Sequence, residues 1–451
     1  MASDWLGVSI APDDTLFDAS PTWTRLDSGV SGLRVSSIEI VRGRSSEFEE
    51  TGTGTCTVTF NDRAGVLDPT NAGSPLFGKI LSRPFAVAIR NPVTDVWWPL
   101  FRGAVDDAGY NLTRSQVKLE TAVVAVDAFD FFSNFELVPG LAGFANAQLN
   151  ASGYVFYEDA GFDERILAIL GDCGWPTALS SIFTGNIICQ ESVYSPGDRA
   201  MQAIREAVDA EFPTVANMYV DKRGIVQAHG RYARFEPEIV SASASNWEYK
   251  TFRAGDNAAA AADPTVAKMQ EPFGFSISRK MIRNAALAYP EGVDRSDLSS
   301  FIFTDEPSRA EHGTRTWTAE NLKIAEDTTE NISGKAACQL FSEYIVSNYA
   351  QPHPRVQAFT IGTERPGGTF GDATWELACE VDISDSIEIV QLDHPGGGGF
   401  SEIGHFVEGL RYQIRPGPGS LDDAYPFFKM TADLSPAAYY DSSPFTPIPA
   451  S

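Results

Sequence analysis

Between Glu47 and Asn71 the chain reads EFEETGTGTCTVTFNDRAGVLDPTN. Its centre, Thr55-Cys56-Thr57-Val58-Thr59-Phe60, alternates strictly between threonine and an apolar residue. Side chains of a strand point to opposite faces with period two. Cys56, Val58 and Phe60 therefore face a core, and three β-branched threonines face water. Gly52 and Gly54 loosen the entry to this strand. Asn61-Asp62-Arg63-Ala64-Gly65 closes it with turn chemistry, because Asn and Asp bond their own backbone and Gly supplies positive φ. Leu67-Asp68-Pro69-Thr70-Asn71 makes a second punctuated turn.

Similar strands surround it. Leu33 to Val35 leads into Ile38 to Val41, Phe85 to Arg90 is a strand turned by Asn91-Pro92, and Trp98 to Asp106 is a strand whose Gly103 marks a bulge. Val117 to Thr121 alternates, and Ala122 to Val126 is apolar on both faces. Short strands at spacings of roughly 15 to 25 residues, with no helix between them, predict an antiparallel barrel or sandwich over residues 30–135. Residues 1–29, with Pro12, Pro21 and Gly29, read as an irregular N-terminal extension whose Trp5 and Trp23 pack onto the body or onto a neighbouring subunit.

The period changes over residues 136–240, which read as a small α+β module. Asp163 to Leu170 is a short helix with Asp163 as N-cap, stopped by Gly171. Ser195-Pro196-Gly197-Asp198 starts a second, with Met201, Ile204 and Val208 on one face. Met218 to Val226 is a hairpin turned at Gly224. Residues 241–440 read as a second β domain. Ser276 to Ser278 and Ala286 to Tyr289 are strands, and a long helix spans Ile332 to Tyr349, capped by Asn331, with a stripe of Ala337, Leu340, Tyr344 and Ile345. Pro352 and Pro354 stop that helix. Strands follow at Arg355 to Ile361, Trp375 to Val381, Ser386 to Leu392, His405 to Ile414 and Phe427 to Leu434. In the fourth of these, Phe406, Leu410, Tyr412 and Ile414 share a face interrupted only by Glu408. Gly396 to Gly399 forms a flexible hairpin tip, and residues 441–451 form a loose Pro- and Ser-rich tail. The fold class is thus mainly β with α+β insertions.

Composition narrows the chemistry. With 34 Lys and Arg against 60 Asp and Glu, the net charge is −26, which repels phosphate backbones and argues against a nucleic-acid-gripping surface. Five widely spaced cysteines, Cys56, Cys173, Cys189, Cys338 and Cys379, include no C-x-x-C pair and read as reduced, buried, small hydrophobes. There is no basic and apolar leader at the N-terminus and no run of about 18 apolar residues, so the expectation is synthesis and assembly in a cytoplasm, with no membrane segment. Asp393-His394 and His405, flanking the glycine tetrad, are a metal arrangement on paper, but no spacing fixes two ligands on one helix face. No nucleophile elbow, P-loop or dinucleotide fingerprint occurs. The carboxylate clusters Glu47, Glu49 and Glu50, Asp106-Asp107 and Asp422-Asp423 read as solvated faces and turns, and Asn111-Leu112-Thr113 and Asn331-Ile332-Ser333 as chance sequons. No catalytic, cofactor-binding or metal residue is assigned, and the chain is read as a non-enzyme.

Aromatic residues make up 11% of the chain, and Phe129, Phe131, Phe132 and Phe135 fall within seven positions. They are either core at the end of a strand or a subunit interface, where aromatics are enriched. Together with Trp97 and Trp98 they are the interface candidates.

Several segments, in order, resemble minor tail proteins of actinobacterial siphophages, of the baseplate-hub, tail-associated type. They are TCTVTFNDRAGVLDPTN (55–71), LFRGAVDD (100–107), SPGDRAMQAIREAVDAEF with MYVDKRGIV, ADPTVAKM (262–269), RNAALAYPEG, HGTRTW (312–317), QPHPRVQAFTI, HFVEGLRYQIRPG and MTADLSP (430–436). Their order carries the resemblance, which spans nearly the whole chain. Family members often have Tyr where His312 stands here. The resemblance implies two tail-tube-like antiparallel β-barrels per subunit, separated by a helical module. It further implies a homotrimer that presents six barrels in pseudo-sixfold order. Such a hub sits at the tail tip of the virion and joins the distal tail protein ring to a threefold tip. Its partners would be the tape measure protein and other minor tail or receptor-binding proteins, with DNA only in transit through a conduit partly lined by acidic residues. Two other classes stand beside it: a hexameric distal tail ring, which would be shorter with one barrel, and a tail-tip cell-wall hydrolase, which the absence of an appended domain before Ser451 disfavours.

Overall fold

The computed structural model describes residues 5–27, 33–91, 93–111, 120–138, 148–150, 152–237, 247–270, 277–325, 334–352, 355–363, 371–391, 401–415 and 427–437. The glycine tetrad, Asp393-His394, Asp422-Asp423, both sequon threonine and serine positions, Asn331 and the tail from residue 438 lie outside these.

The first strands are β1 (Leu6–Ile10), β2 (Thr24–Arg25), β3 (Leu33–Gly43), β4 (Thr55–Asp62), β5 (Pro84–Arg90), β6 (Trp97–Asn111) and β7 (Glu120–Val126), all antiparallel in the order β2-β1-β5-β6-β7-β4-β3. The alternation in β4 does what its sequence dictates: Cys56, Val58 and Phe60 are fully buried and the threonines half-buried. The N-terminal segment is not irregular throughout, because Leu6 to Ile10 pairs along its whole length with β5. Gly103 does not mark a bulge. It sits in register opposite Phe85, and a Cβ there would lie 2.1 Å from the Val126 carbonyl oxygen, so the glycine permits close backbone approach. The bulges in β6 fall instead at Leu100 and Asp106.

Next come α1 (Ala128–Asn134), β8 (Gln148–Leu149), β9 (Val155–Tyr157), β10 (Ala160–Gly161), α2 (Phe162–Asp172), β11 (Ser180–Ile182), β12 (Ile188–Cys189), β13 (Ser192–Tyr194), α3 (Ala200–Glu211), β14 (Asn217–Val220), β15 (Val226–His229) and α4 (Tyr232–Phe235). The N-cap of α2 is Gly161 rather than Asp163, with Glu164 accepting from the Gly161 N–H. Ser195 to Asp198 is a turn ahead of α3, not its cap: Gly197 has φ +104, which the second central position of a Pro-Gly turn demands, and the helix starts at Ala200. The β14–β15 hairpin forms as its sequence dictates, with Gly224 at φ +82.

β16 (Thr251–Gly255), α5 (Asn257–Ala262) and β17 (Val266–Lys268) return to the main sheet. A second small module follows: β18 (Ala285–Pro290), β19 (Ile302–Thr304), α6 (Glu306–His312), β20 (Thr316–Leu322) and α7 (Gly334–Tyr349), with sheet order β19-β18-β20. Ile277 and Ser278 are not in a strand; Ser278 caps a short 3-10 turn at Arg279–Met281. The last elements are β21 (Ala358–Thr363), α8 (Asp372–Glu380), β22 (Ser386–Gln391), β23 (Ser401–Arg415) and β24 (Phe427–Pro436). The expected strand at Trp375 to Val381 is the helix α8. Ala, Leu and Glu favour it, and it buries a broad face of Ala373, Thr374, Trp375, Leu377, Ala378 and Cys379 rather than alternate residues.

The two β regions are not separate. β3 and β23 pair antiparallel from Gly43–Gly409 to Ile38–Ile414, fusing all the main strands into one 13-stranded sheet. Among the described residues no ladder closes either half into a barrel, although Gln270 N–H donates to Thr360 O (2.7 Å) between the ends of the second half. The architecture is a β-rich α+β fold with two large cores. One fills the main sheet, and the other is shared by both small modules, where Phe212 stacks on Phe341 at 4.4 Å.

Candidate functional site

The sheet forks at Glu408. β24 runs along one edge of β23 from His405 to Arg415, interrupted by one bulge, while the other edge holds β22 from Ser401 to Phe406 and β3 from Gly409 to Ile414. Between those two partners β23 carries a bulge, with Val407 opposite Leu434, Gly409 opposite Asp433, and Glu408 extra. An inserted residue reverses the alternation. Phe406 consequently points into the core of the modules, whereas Leu410, Tyr412 and Ile414 point into the core of the sheet, so the four do not share a face. Two glycines allow the crossing. A Cβ on Gly43 (φ +86) would lie 2.3 Å from the Glu408 carbonyl oxygen, and one on Gly409 would lie 2.5 Å from that of Arg44.

The Glu408 carboxylate, itself fully buried, accepts from Arg44 Nε (2.7 Å), both terminal nitrogens of Arg234 (the Nη2 contact at 2.9 Å) and Ser435 Oγ (2.6 Å). Burial alone would drive its pKa up, but the two guanidiniums outweigh this and hold it well below the usual carboxylate range. The knot ties β3, β23 and β24 to α4 of the first module.

A second tie lies at the β14–β15 turn. Lys222 N–H donates to Asp382 Oδ2 (2.9 Å), and its ammonium reaches the Cys379 carbonyl (3.2 Å) and that of Glu380, at the C-terminal end of α8, where a cation suits the helix dipole. Arg42 bonds the other oxygen of Asp382 (2.8 Å). Burial works to raise Asp382, yet Arg42 and Lys222 keep it below its ordinary value; burial pushes neighbouring Asp385 up to about 8. Lys222 and Lys250 both lie over the ring of Trp98, at 5.3 and 5.1 Å.

The interface candidates therefore divide. Phe129 and Phe132 are buried in their own chain, packing on Trp175 and the module core. Phe131 and Phe135 are half-buried, and Phe131 meets the exposed Phe17 edge-on at 5.2 Å. Trp98 is half-buried under two lysines. Trp97 is 39% exposed, lies over Gly7 of β1, carries Arg25 at 5.0 Å, and has exposed Val93 and Val96 beside it. The β1 edge is closed to a further strand there: Asp27 accepts from Val8 N–H (3.0 Å), and Arg25 donates to the Leu6 carbonyl (2.8 Å).

The face of the main sheet opposite its core is open. Across the fork it presents Thr360, Thr431, Arg411, Val41, Thr55 and Val126 in one row, and Lys429, Gln413, Glu39, Thr57, Val124 and Asp107 in the next. Its charges are mixed, so the surplus of carboxylates is not gathered on these rows.

Burial pushes the thiols of Cys173, Cys189, Cys338 and Cys379 up to about 12, and that of Cys56 higher still, which leaves them protonated and unreactive. Buried His405 accepts the Val356 N–H through Nε2 (3.3 Å). Among the described residues no three His, Cys, Asp or Glu side chains gather to hold a metal ion, and no helix is long and apolar enough to cross a membrane.

No protein-family model and no curated protein matches the chain. Solved structures do share its fold. The tail protein from Neisseria meningitidis MC58 superposes with a TM-score of 0.53 at 9% identity, covering 97% of this chain and 98% of that one. The 43 kDa tail protein of prophage MuSo2 from Shewanella oneidensis superposes with a TM-score of 0.51 at 10% identity, covering 97% and 100%. The chain thus shares its fold with these two tail proteins over nearly its whole length.

Proposed function

We propose that this chain is a structural, non-enzymatic virion protein: the trimeric hub at the distal tip of a long, non-contractile phage tail. Residues 30–135, with β1, supply one tube-like half and β16, β17 and β21 to β24 the other, with residues 136–240 and the β18-to-α7 module packed together on a core of their own. The observation that carries the reading is the β3–β23 ladder, which welds the two halves into one sheet through backbone hydrogen bonds. A subunit built this way supplies two adjacent sixths of a ring with fixed spacing, which is what a threefold adaptor on a sixfold tube requires. The whole-length likeness to phage tail proteins supports the same reading.

In such a ring the open face of the sheet lines the conduit. Its balanced charge, with Glu39 and Asp107 against Arg411 and Lys429, offers no continuous basic track to retain DNA in transit. The exposed Trp97 with its valine neighbours, and Phe17 with Phe131, serve as contacts to other copies or to the distal tail ring, the tape measure protein and further tip proteins. Light scattering on the purified chain tests the assembly. Three copies support the hub, whereas a stable hexamer points to a distal ring protein and overturns it.

A further inference from the structure

The two halves of the main sheet repeat one another. β22, β23 and β24 pair in sequence as β5, β6 and β7 do, with β16 outside β22 as β1 lies outside β5, and β21 outside β24 as β4 lies outside β7. β6 and β23 each run 15 residues, and each bulges at an acidic residue, Asp106 in one and Glu408 in the other. Just before the bulge each bonds a serine held at positive φ. Ser82 N–H (φ 59) donates to the Val105 carbonyl (2.8 Å), and Ser384 N–H (φ 72) to the Val407 carbonyl (2.9 Å). Val105 N–H donates to Arg83 O (3.0 Å), and Val407 N–H to Asp385 O (2.9 Å). Each of these residues lies 302 positions from its counterpart (384 less 82, 407 less 105, 408 less 106), so the two strands correspond residue by residue.

Past the bulge the halves differ. In β23, Gly409 to Ile414 hold β3 on the edge that β22 has left. Arg44 N–H donates to the Glu408 carbonyl (3.0 Å) with Gly43 opposite Gly409, so Leu410 turns its own N–H and C=O toward β3. In β6, β5 and the turn before it cover the same edge only as far as Val105, while β7 holds the opposite edge to Asn111. Among the described residues no strand covers Asp107 to Asn111 on the β5 side. Ala108, the counterpart of Leu410, therefore presents a bare N–H and C=O. Such an edge is a template for another strand. Asp27 and Arg25 plug the β1 edge, but the described residues place no such plug here. Asp106 is exposed and makes no ion pair with the described residues, whereas Glu408 in the same place holds Arg44 and Arg234.

We propose that a second copy of this chain adds a strand to β6 along Asp107 to Asn111, as β3 adds to β23, and brings a basic residue to Asp106. The occupant is another copy because the β3–β23 ladder already joins the two corresponding surfaces within one chain. The first half gives its β3 side to the second half. The second half of a neighbouring copy, through the outer edge of β21 that corresponds to the β3 side of β4, gives the same to the first half. Repeated head to tail, this joint closes a ring. Asp107 stands where Gly409 does, so the incoming strand passes the bulge without the close approach that Gly43 makes to Gly409. The inference rests on the reading of the chain as a self-assembling ring protein and names the joint between its copies.

The test is hydrogen–deuterium exchange of the full chain, assembled and then diluted until light scattering shows single copies. On assembly the amides of residues 107–111 are expected to slow at least about tenfold, while those of residues 409–414, already paired, change less than about twofold. Ala108→Pro removes an outward N–H and leaves the β7 ladder intact. It is expected to melt within about 3 °C of the wild type and to weaken self-association at least about tenfold. Leu410→Pro, at the paired counterpart, is expected to unfold the chain. Asp106→Lys, an exposed change that gives a second reading should the proline disturb folding, is expected to weaken self-association at least about fivefold with an unchanged melt. Assembly without slowed exchange at residues 107–111, a folded Ala108→Pro variant that assembles as the wild type does, or a chain that stays single up to about 1 mM each overturns the proposal. A hexamer with slowed exchange there upholds it and overturns the trimer, and a trimer without it does the reverse.

Discussion

Arg44 Nε lies 2.7 Å from Glu408 Oε2 with both side chains out of contact with solvent, although 364 positions separate them. The pair sits where the sheet forks, and Arg234 reaches the same carboxylate from the first module. A buried carboxylate held by two guanidiniums adds little net stability over an apolar filling of the same shape, but removing one partner leaves charge stranded. Glu408→Gln therefore costs about 3–5 kcal/mol in denaturant unfolding. A triple replacement of Arg44, Arg234 and Glu408 by Met recovers part of that loss. If the single variant is neutral, the knot does not hold the fork.

Gly43→Ala and Gly409→Ala each drive a methyl into a backbone oxygen, at 2.3 and 2.5 Å, and Gly43 is held at φ +86. Each is expected to cost at least about 3 kcal/mol, or to abolish soluble expression. Gly52→Ala, where nothing lies within 4 Å, stays within about 0.5 kcal/mol. Thermal melts of the three variants check the contrast.

His229 sits among Phe183, Tyr219 and Trp247, with ring centroids 4.6, 5.1 and 4.5 Å away and Nδ1 unpartnered. Burial pushes its pKa down to about 3. The folded state thus refuses a proton that the unfolded chain takes up below about 6.5. The stability linked to the neutral ring is fully present above that value and falls away as pH drops toward 3, by up to about 4 kcal/mol. Asp385, raised to about 8, slopes the other way between about 4 and 8, so the comparison has to be with a variant. His229→Phe is expected to match the wild type near pH 7.5 and to exceed it increasingly toward pH 4, as read by urea midpoints. Parallel pH profiles would contradict the assignment.

Among the aromatics, Phe132→Ala is expected to cost about 3–5 kcal/mol, since the ring is fully buried. Trp97→Ala is expected to change stability by less than about 1 kcal/mol and instead to weaken self-association or binding to a neighbouring tail component. Denaturation and sedimentation on the same two variants separate the roles.

What the sequence made legible was local. The alternation of β4, the Gly224 hairpin and the stripe of α7 each follow from neighbours within a few positions, and each forms. β1 was missed because five residues followed by Pro12 carry little pattern, and its strand state comes from pairing with β5, some 80 positions on. α8 was misread because Trp375, Leu377 and Cys379 mimic a strand alternation until Ala378 is seen to be buried beside them. The fork had one visible trace, a lone Glu408 in an apolar strand. Its partners Arg44 and Arg234 lie too far along the chain for spacing to connect them, and the bulge that puts Phe406 and Leu410 in different cores leaves no periodic signature.

The hub reading is tested most directly by electron-microscopy class averages of the assembled protein viewed down its axis. The account predicts a ring of six similar β lobes around an opening, with only threefold symmetry exact because alternate lobes come from the two halves of one chain. Six identical lobes, or single β lobes that never join a ring, would contradict it.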